Sequence, residues 1–206
     1  MTIRTIRARP QPGDVVYAVR VLCEGGLVAF PTDTVYGVGA HAFLPQAVEK
    51  LYAAKIRPRD KAIPLLISGI DVLSQVATSI PNVAYELAAR FWPGALTLVL
   101  SRSAQISDAI TSGEDTVAIR VPDHPLVQAL LATLDSPLAV TSANISGHPA
   151  PVTAQEVLAQ LDGRIDMLLD GGTCPGGVAS TILDLTVSPP QVLRAGTLLP
   201  ELEAWL

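Results

Sequence analysis

Two rhythms of apolar and polar residues alternate along the chain. Helical spacing runs over 15–24, where Val15, Ala18, Val19 and Leu22 share a face, Gly13-Asp14 supply the cap and Gly25-Gly26 the stop. The same spacing predicts helices over 45–55, with Val48, Leu51 and Tyr52 inward, and over 81–91, 125–134 and 153–161, the last opened by a Thr153/Glu156 capping box. Short apolar runs predict strands over 27–30, 63–67, 96–100, 116–120, 138–141, 167–169, 181–185 and 191–193. Strands and helices alternate without a long polar linker, so the chain reads as one α/β domain over 1–206, with helices covering a twisted sheet. Near the C-terminus strands follow one another without a helix between them, which points to a mixed rather than a purely parallel sheet.

Composition narrows this picture. The 206 residues are 49 % hydrophobic and 16 % charged, enough apolar material for a sizeable core. No apolar run reaches the roughly 18 residues that would span a bilayer, and the N-terminus lacks the apolar segment of a secretory signal. A cytoplasmic protein with no membrane partner is expected. Cys23 and Cys174 read as a core thiol and a loop thiol, too few for a disulfide framework or a zinc cluster. A net charge of −5 argues against strong non-specific binding to nucleic acid.

Candidate chemistry gathers where strands end. In Leu27-Val-Ala-Phe-Pro-Thr-Asp-Thr-Val-Tyr-Gly-Val-Gly39 an apolar run stops at Pro31 and is followed by hydroxyls and a carboxylate. Ligands of open α/β sheets sit at such ends. Lys55-Ile-Arg-Pro-Arg-Asp-Lys61 places four cations around a stiffening proline, which suits a polyphosphate, although charge runs are commonly solvated loops. Arg120 closes the apolar run Thr116-Val-Ala-Ile-Arg120 and needs an anionic partner, either a ligand or an internal carboxylate. Thr141-Ser-Ala-Asn-Ile-Ser-Gly147, the glycine-rich loop Gly171–Gly177 leading to Ser180-Thr-Ile-Leu-Asp184, and Leu193-Arg-Ala-Gly196 add hydroxyls, an amide and Arg194. Walker-type and dinucleotide glycine motifs are absent, no metal-ligand spacing appears, and His41, His124 and His148 are scattered.

Six of these motifs occur together and in order: Pro-Thr-Asp-Thr-Val-Tyr-Gly, Lys-x-Arg-Pro, Val-Ala-Ile-Arg-Val-Pro-x-His, Ser-Ala-Asn-x-Ser-Gly, Ser-Thr-Ile-x-Asp and Leu-Arg-x-Gly. In this the chain resembles the YrdC-like threonylcarbamoyl-AMP synthases from about 13 to 196. The resemblance implies a three-layer α/β fold, a twisted mixed sheet around a concave pocket. It also implies a nucleotidyltransferase that converts L-threonine, bicarbonate and ATP to threonylcarbamoyl-adenylate and pyrophosphate. Mg²⁺ would come mainly on the ATP phosphates. The product would pass to a tRNA threonylcarbamoyl transferase that modifies adenosine 37, with a weak tRNA contact as a further option.

Carried over residue by residue, the resemblance places Thr34 and Ser180 at the threonine, with Arg120 on its carboxylate and backbone from Val140. Lys55, Arg57, Lys61 and Arg194 would face the ATP phosphates; Thr116, Ser142 and Asn144, with backbone from Ala150, would line the nucleotide. The sequence departs from relatives in reading Lys61-Ala-Ile-Pro-Leu65 after the basic loop, in lacking a histidine between His41 and His124, and in having Ala179 before Ser180. Ending soon after Arg194, it resembles the short, single-domain type, with pocket closure expected from the basic loop, the N-terminal arm 2–12 or another subunit. The alternative reading is a non-catalytic module of the same fold that binds double-stranded RNA or tRNA. A hydrogenase-maturation domain is disfavoured, because those chains are longer and carry cysteine-rich zinc elements.

Overall fold

The computed structural model describes residues 5–8, 11–175 and 179–202, so parts of the N-terminal arm and of the glycine-rich loop read from the sequence lie outside it. In chain order the elements are β1 (Ile6–Ala8), α1 (Pro12–Cys23), β2 (Val28–Phe30), β3 (Gly37–His41), α2 (Pro45–Lys55), β4 (Leu65–Leu66), α3 (Leu73–Val76) and β5 (Ala77–Thr78). There follow α4 (Asn82–Phe91), β6 (Leu96–Arg102), α5 (Asp108–Thr111), β7 (Thr116–Arg120), α6 (Pro125–Leu134), β8 (Leu138–Ser142), α7 (Ala154–Leu161), β9 (Met167–Leu169), β10 (Thr181–Asp184), β11 (Gln191–Arg194) and α8 (Leu199–Leu202).

Among the described residues all strands join one mixed sheet in the order β1-β9-β2-β3-β8-β4-β7-β6-β10-β11, with β5 pairing β6 to the side. Pairs such as β2–β9 and β6–β10 are parallel, whereas β2–β3, β3–β8, β6–β7 and β10–β11 are antiparallel. Alternation along each strand sends side chains to two cores. Ala29, Leu98 and Ile119 join the α2, α4 and α7 side, and Val28, Phe30, Leu66, Leu138 and Val140 join the α1 and α6 side. The second core ends at β4. Beyond it, the β7-β6-β10-β11 half of that face has no helix in its core cluster.

Four details differ from the sequence expectation. Gly37–His41 forms an interior strand although its glycines carry little strand propensity. A Cβ on Gly37 would lie 2.9 Å from Val140 Cγ1, and one on Gly39 3.2 Å from Phe30 Cε1, so glycine lets two large neighbours close over the strand. The strand expected over 63–67 pairs only at Leu65–Leu66; Ile63 and Ile67 flank it through hydrogen bonds to Ile110 and Arg120 carbonyls. Helix α1 starts earlier than Gly13-Asp14 suggested. Its N-cap is Gln11, and Asp14 accepts from the Gln11 N–H at 3.0 Å from inside the first turn. The thiols also exchange roles: Cys23 is exposed on α1, and Cys174, in a loop, is buried. The Thr153/Glu156 capping box is present as expected.

Candidate functional site

One row of the sheet carries the first half of the site. Continuing the β6–β7 register by one step sets Arg120 beside Thr97; Thr97 pairs with Ile182, and Ile182 with Arg194. Residues in such a row share a face, and this is the open one. Ser180, two residues before Ile182, turns the same way, and its hydroxyl lies 2.7 Å from the Thr97 hydroxyl. Arg194 donates from Nη2 to the Ser180 hydroxyl and from Nε to the Ser180 carbonyl, both at 2.9 Å. Gly196 permits this closeness, since a Cβ there would stand 2.4 Å from the Thr181 nitrogen and 2.5 Å from the Ala179 carbonyl.

From the other side comes the turn after β2. Thr32 Oγ1 accepts from the Thr34 N–H at 3.1 Å and donates to the Val35 carbonyl at 2.7 Å, which curls the chain back. That curl presents Asp33 and Thr34 to Arg120. Both Asp33 oxygens accept from Arg120 Nη2 at 2.6 Å, Nε donates to the Gly94 carbonyl at 2.8 Å, and Nη1 reaches the Thr34 hydroxyl at 3.4 Å. Thr34, Arg120 and Ser180 are each less than a tenth exposed. Burial lowers the Arg120 pKa while Asp33 opposes the shift. The Arg194 pKa is lowered by burial of its head and then by repulsion from Arg120, so the two guanidiniums lie within electrostatic reach of one another. His124 caps α6, its Nδ1 accepting from the Leu126 N–H at 3.2 Å; burial lowers its pKa and Asp33 opposes that. Two guanidiniums and several hydroxyls around one carboxylate can hold a small, hydroxylated monoanion.

The basic segment is less of a cluster than its sequence suggests. Lys55, at the end of α2, is 1 % exposed and donates to the Ser142 and Asn144 carbonyls of the β8 exit. Burial, then Arg57, lowers its pKa to about 7. Arg57 folds over its own loop, donating to the Lys61 carbonyl at 3.1 Å and the Ala62 carbonyl at 2.8 Å. Arg59 turns outward, pairs with Glu49 and stacks 4.7 Å over Tyr52. Lys61 is exposed. The α2–loop unit is therefore tied to the β8 exit, where Asn144 Nδ2 donates to the Ile145 and His148 carbonyls at 2.8 Å while its buried Oδ1 has no protein partner. Val140 lies under this exit and pairs with Gly39, and Ala150 is exposed beyond it. Thr116 starts β7 on the open face, four residues and about 13 Å along the strand from Arg120. The structure thus brings together Thr34, Arg120, Ser180 and Arg194 in one group and Lys55, Ser142 and Asn144 in another.

The profile of the Sua5/YciO/YrdC family, described as telomere recombination, matches residues 20–196. The chain belongs to this family. The threonylcarbamoyl-AMP synthase of Pyrococcus abyssi is 44 % identical over 202 residues, covering 98 % of this chain and 59 % of that protein. That of Bacillus subtilis is 45 % identical over 188 residues, covering 91 % and 54 %. The chain thus spans between half and two thirds of the length of these two curated relatives. A crystal structure of P. abyssi Sua5 complexed with L-threonine superposes with a TM-score of 0.93 at 43 % identity, covering all of this chain and 61 % of that one.

Within this Sua5/YciO/YrdC chain, the site also contains residues outside the set assigned by resemblance. Asp33, Thr97 and the Gly94 carbonyl all touch the named residues. Asp33 is the carboxylate that follows Pro31 at the end of β2, and the demand of Arg120 for an anion is the signal that links the two. The glycine-rich loop also returns to the turn: Tyr36 donates its hydroxyl to the Gly172 carbonyl at 2.6 Å, and burial, aided by Asp170 and Cys174, pushes its pKa up to about 12. Burial raises the Cys174 pKa, opposed by a hydrogen bond from the Thr32 backbone.

Proposed function

We propose that this chain is a threonylcarbamoyl-AMP synthase: it joins L-threonine, bicarbonate and ATP into threonylcarbamoyl-adenylate and releases pyrophosphate. The convergence of Thr34, Arg120, Ser180 and Arg194 on the open half of the sheet carries this reading. The relatives' name and the threonine complex of P. abyssi Sua5 support it.

On this reading the threonine carboxylate takes Arg120, and its hydroxyl and methyl lie against Thr34 and Ser180, with Val140 backbone nearby. The threonine amine attacks the bicarbonate carbon and water leaves, giving an N-carboxylate; a carboxylate oxygen of that group then attacks the α-phosphate of ATP and expels pyrophosphate. The chemistry asks for positioning and charge stabilisation rather than a protein nucleophile. Lys55, Arg57, Lys61 and Arg194 serve the phosphates, and Thr116, Ser142, Asn144 and Ala150 the nucleoside. In the described structure Lys55 and Arg57 each give two donors to carbonyls, which fixes them in place; a charged Lys55 keeps a third N–H and Arg57 keeps its Nη1 for a phosphate. Mg²⁺ enters as part of the ATP substrate, held mainly by the phosphates. We assign the 1–206 chain as one domain acting in the cytoplasm, feeding a tRNA threonylcarbamoyl transferase. No helix among the described residues is long and apolar enough to cross a membrane.

The test is pyrophosphate release from ATP. Release that needs both threonine and bicarbonate is the expected result. Release without threonine, or none under any condition, contradicts the proposal.

A further inference from the structure

The Asp33–Arg120 pair has no part in the assignments above, although Arg120 does. Arg120 offers three nitrogens. Nε is held by the Gly94 carbonyl at 2.8 Å, and Nη2 by both Asp33 oxygens at 2.6 Å. Two anchors on two nitrogens fix the plane of a rigid guanidinium. Only Nη1 is left, with a long 3.4 Å contact to the Thr34 hydroxyl. Asp33 is itself held in place: it sits in the turn where Thr32 Oγ1 accepts from the Thr34 and Val35 N–H groups. Its side chain is 16 % exposed and that of Arg120 is 9 % exposed, so the pair is largely shielded from water.

We infer that Asp33 is a positioning residue for the carboxylate subsite, fixing Arg120 so that Nη1 is the nitrogen offered to an amino-acid carboxylate. The inference rests on the threonine reading proposed above and deepens it. Charge supports it. Asp33, Arg120 and Arg194 together carry one net positive charge, which matches a single carboxylate. Without Asp33, two guanidiniums already close enough to repel would face one another unbuffered. The Arg120 head would then be free to turn about its remaining Gly94 anchor.

The experiment is calorimetric titration of L-threonine, and separately of ATP, into the wild type, Asp33→Asn and Asp33→Ala. Asp33→Ala should weaken threonine binding about tenfold or more, as losing one partner of a shielded charged pair does. ATP affinity should fall less than threonine affinity, because of the groups assigned to ATP only Arg194 lies near the pair. Asp33→Asn should lose less than Asp33→Ala, since its side-chain oxygen still accepts from Nη2. If Asp33→Ala does not fold, Asp33→Asn decides alone: several-fold weaker threonine binding with a clearly smaller loss for ATP supports the inference. Threonine affinity that is unchanged or tighter overturns it, because Asp33 would then compete with the ligand for Arg120. Equal losses for threonine and ATP overturn it as well, as the sign of a general structural role. A wild type that binds no threonine overturns the functional reading and this inference together; a wild type that binds, with variants matching it, overturns the inference alone.

Discussion

Arg194 grips Ser180 twice, through its hydroxyl and its carbonyl, each at 2.9 Å. The guanidinium thereby sets the direction of a hydroxyl shared with Thr97. Arg194→Ala should reduce catalytic efficiency toward threonine by about 1.5–3 kcal/mol, the usual worth of a hydrogen bond to a charged group. The residue is exposed at the end of β11, so the melting temperature should move little. Steady-state kinetics beside a thermal melt separates the two effects.

Lys55 predicts a pH dependence. Its pKa is lowered to about 7 in the folded chain, chiefly by burial, against about 10.4 when unfolded. Between those values the unfolded chain binds more protons than the folded one, so stability gains as pH rises through that window. The gain stops above the unfolded value, and below about pH 7 the full cost of burying the charge remains. A neutral amine keeps two N–H donors, enough for the Ser142 and Asn144 carbonyls. Unfolding free energies at pH 7 and pH 10 should show wild type gaining relative to Lys55→Met. Parallel curves for the two proteins would remove Lys55 as the source.

Arg57 closes its own loop by donating to the Lys61 and Ala62 carbonyls. Arg57→Ala should speed hydrogen exchange in the loop after Pro58 and nearly abolish adenylate formation. A loss of about 2.7–4 kcal/mol is expected, by analogy with removing one donor from an oxyanion site. Turnover within a few-fold of wild type would exclude Arg57 from the phosphate site.

Side-chain selection follows from the Thr34 and Ser180 pocket. Serine lacks only the methyl of threonine, a difference worth about 1–3 kcal/mol in such a pocket. Competition kinetics should find serine a slow but measurable substrate. Serine turned over as well as threonine would show that neither residue contacts the methyl.

The sequence displayed its periodic parts well. Helices such as Pro45–Lys55 and Pro125–Leu134 carry clear apolar faces, and β7 is an apolar run with β-branched residues. What escaped depends on contacts distant in sequence. β3 is a strand because Phe30 and Val140 need glycines between them, which local propensity cannot register. Asp33 and Arg120 lie 87 residues apart, so the demand of Arg120 for an anion was legible but the identity of its partner was not. The four basic residues of the Lys55–Lys61 segment looked alike in one dimension. In three dimensions they divide by what is within reach: carbonyls for Lys55 and Arg57, Glu49 and Tyr52 for Arg59, and solvent for Lys61.

The most direct test supplies isotopically labelled bicarbonate with ATP and L-threonine and weighs the nucleotide product by mass spectrometry. The proposed function predicts an adenylate that carries both threonine and the labelled carbon, formed by wild type and lost in Arg120→Ala. An adenylate of threonine without the labelled carbon, or no adenylate from a folded wild type, would contradict it.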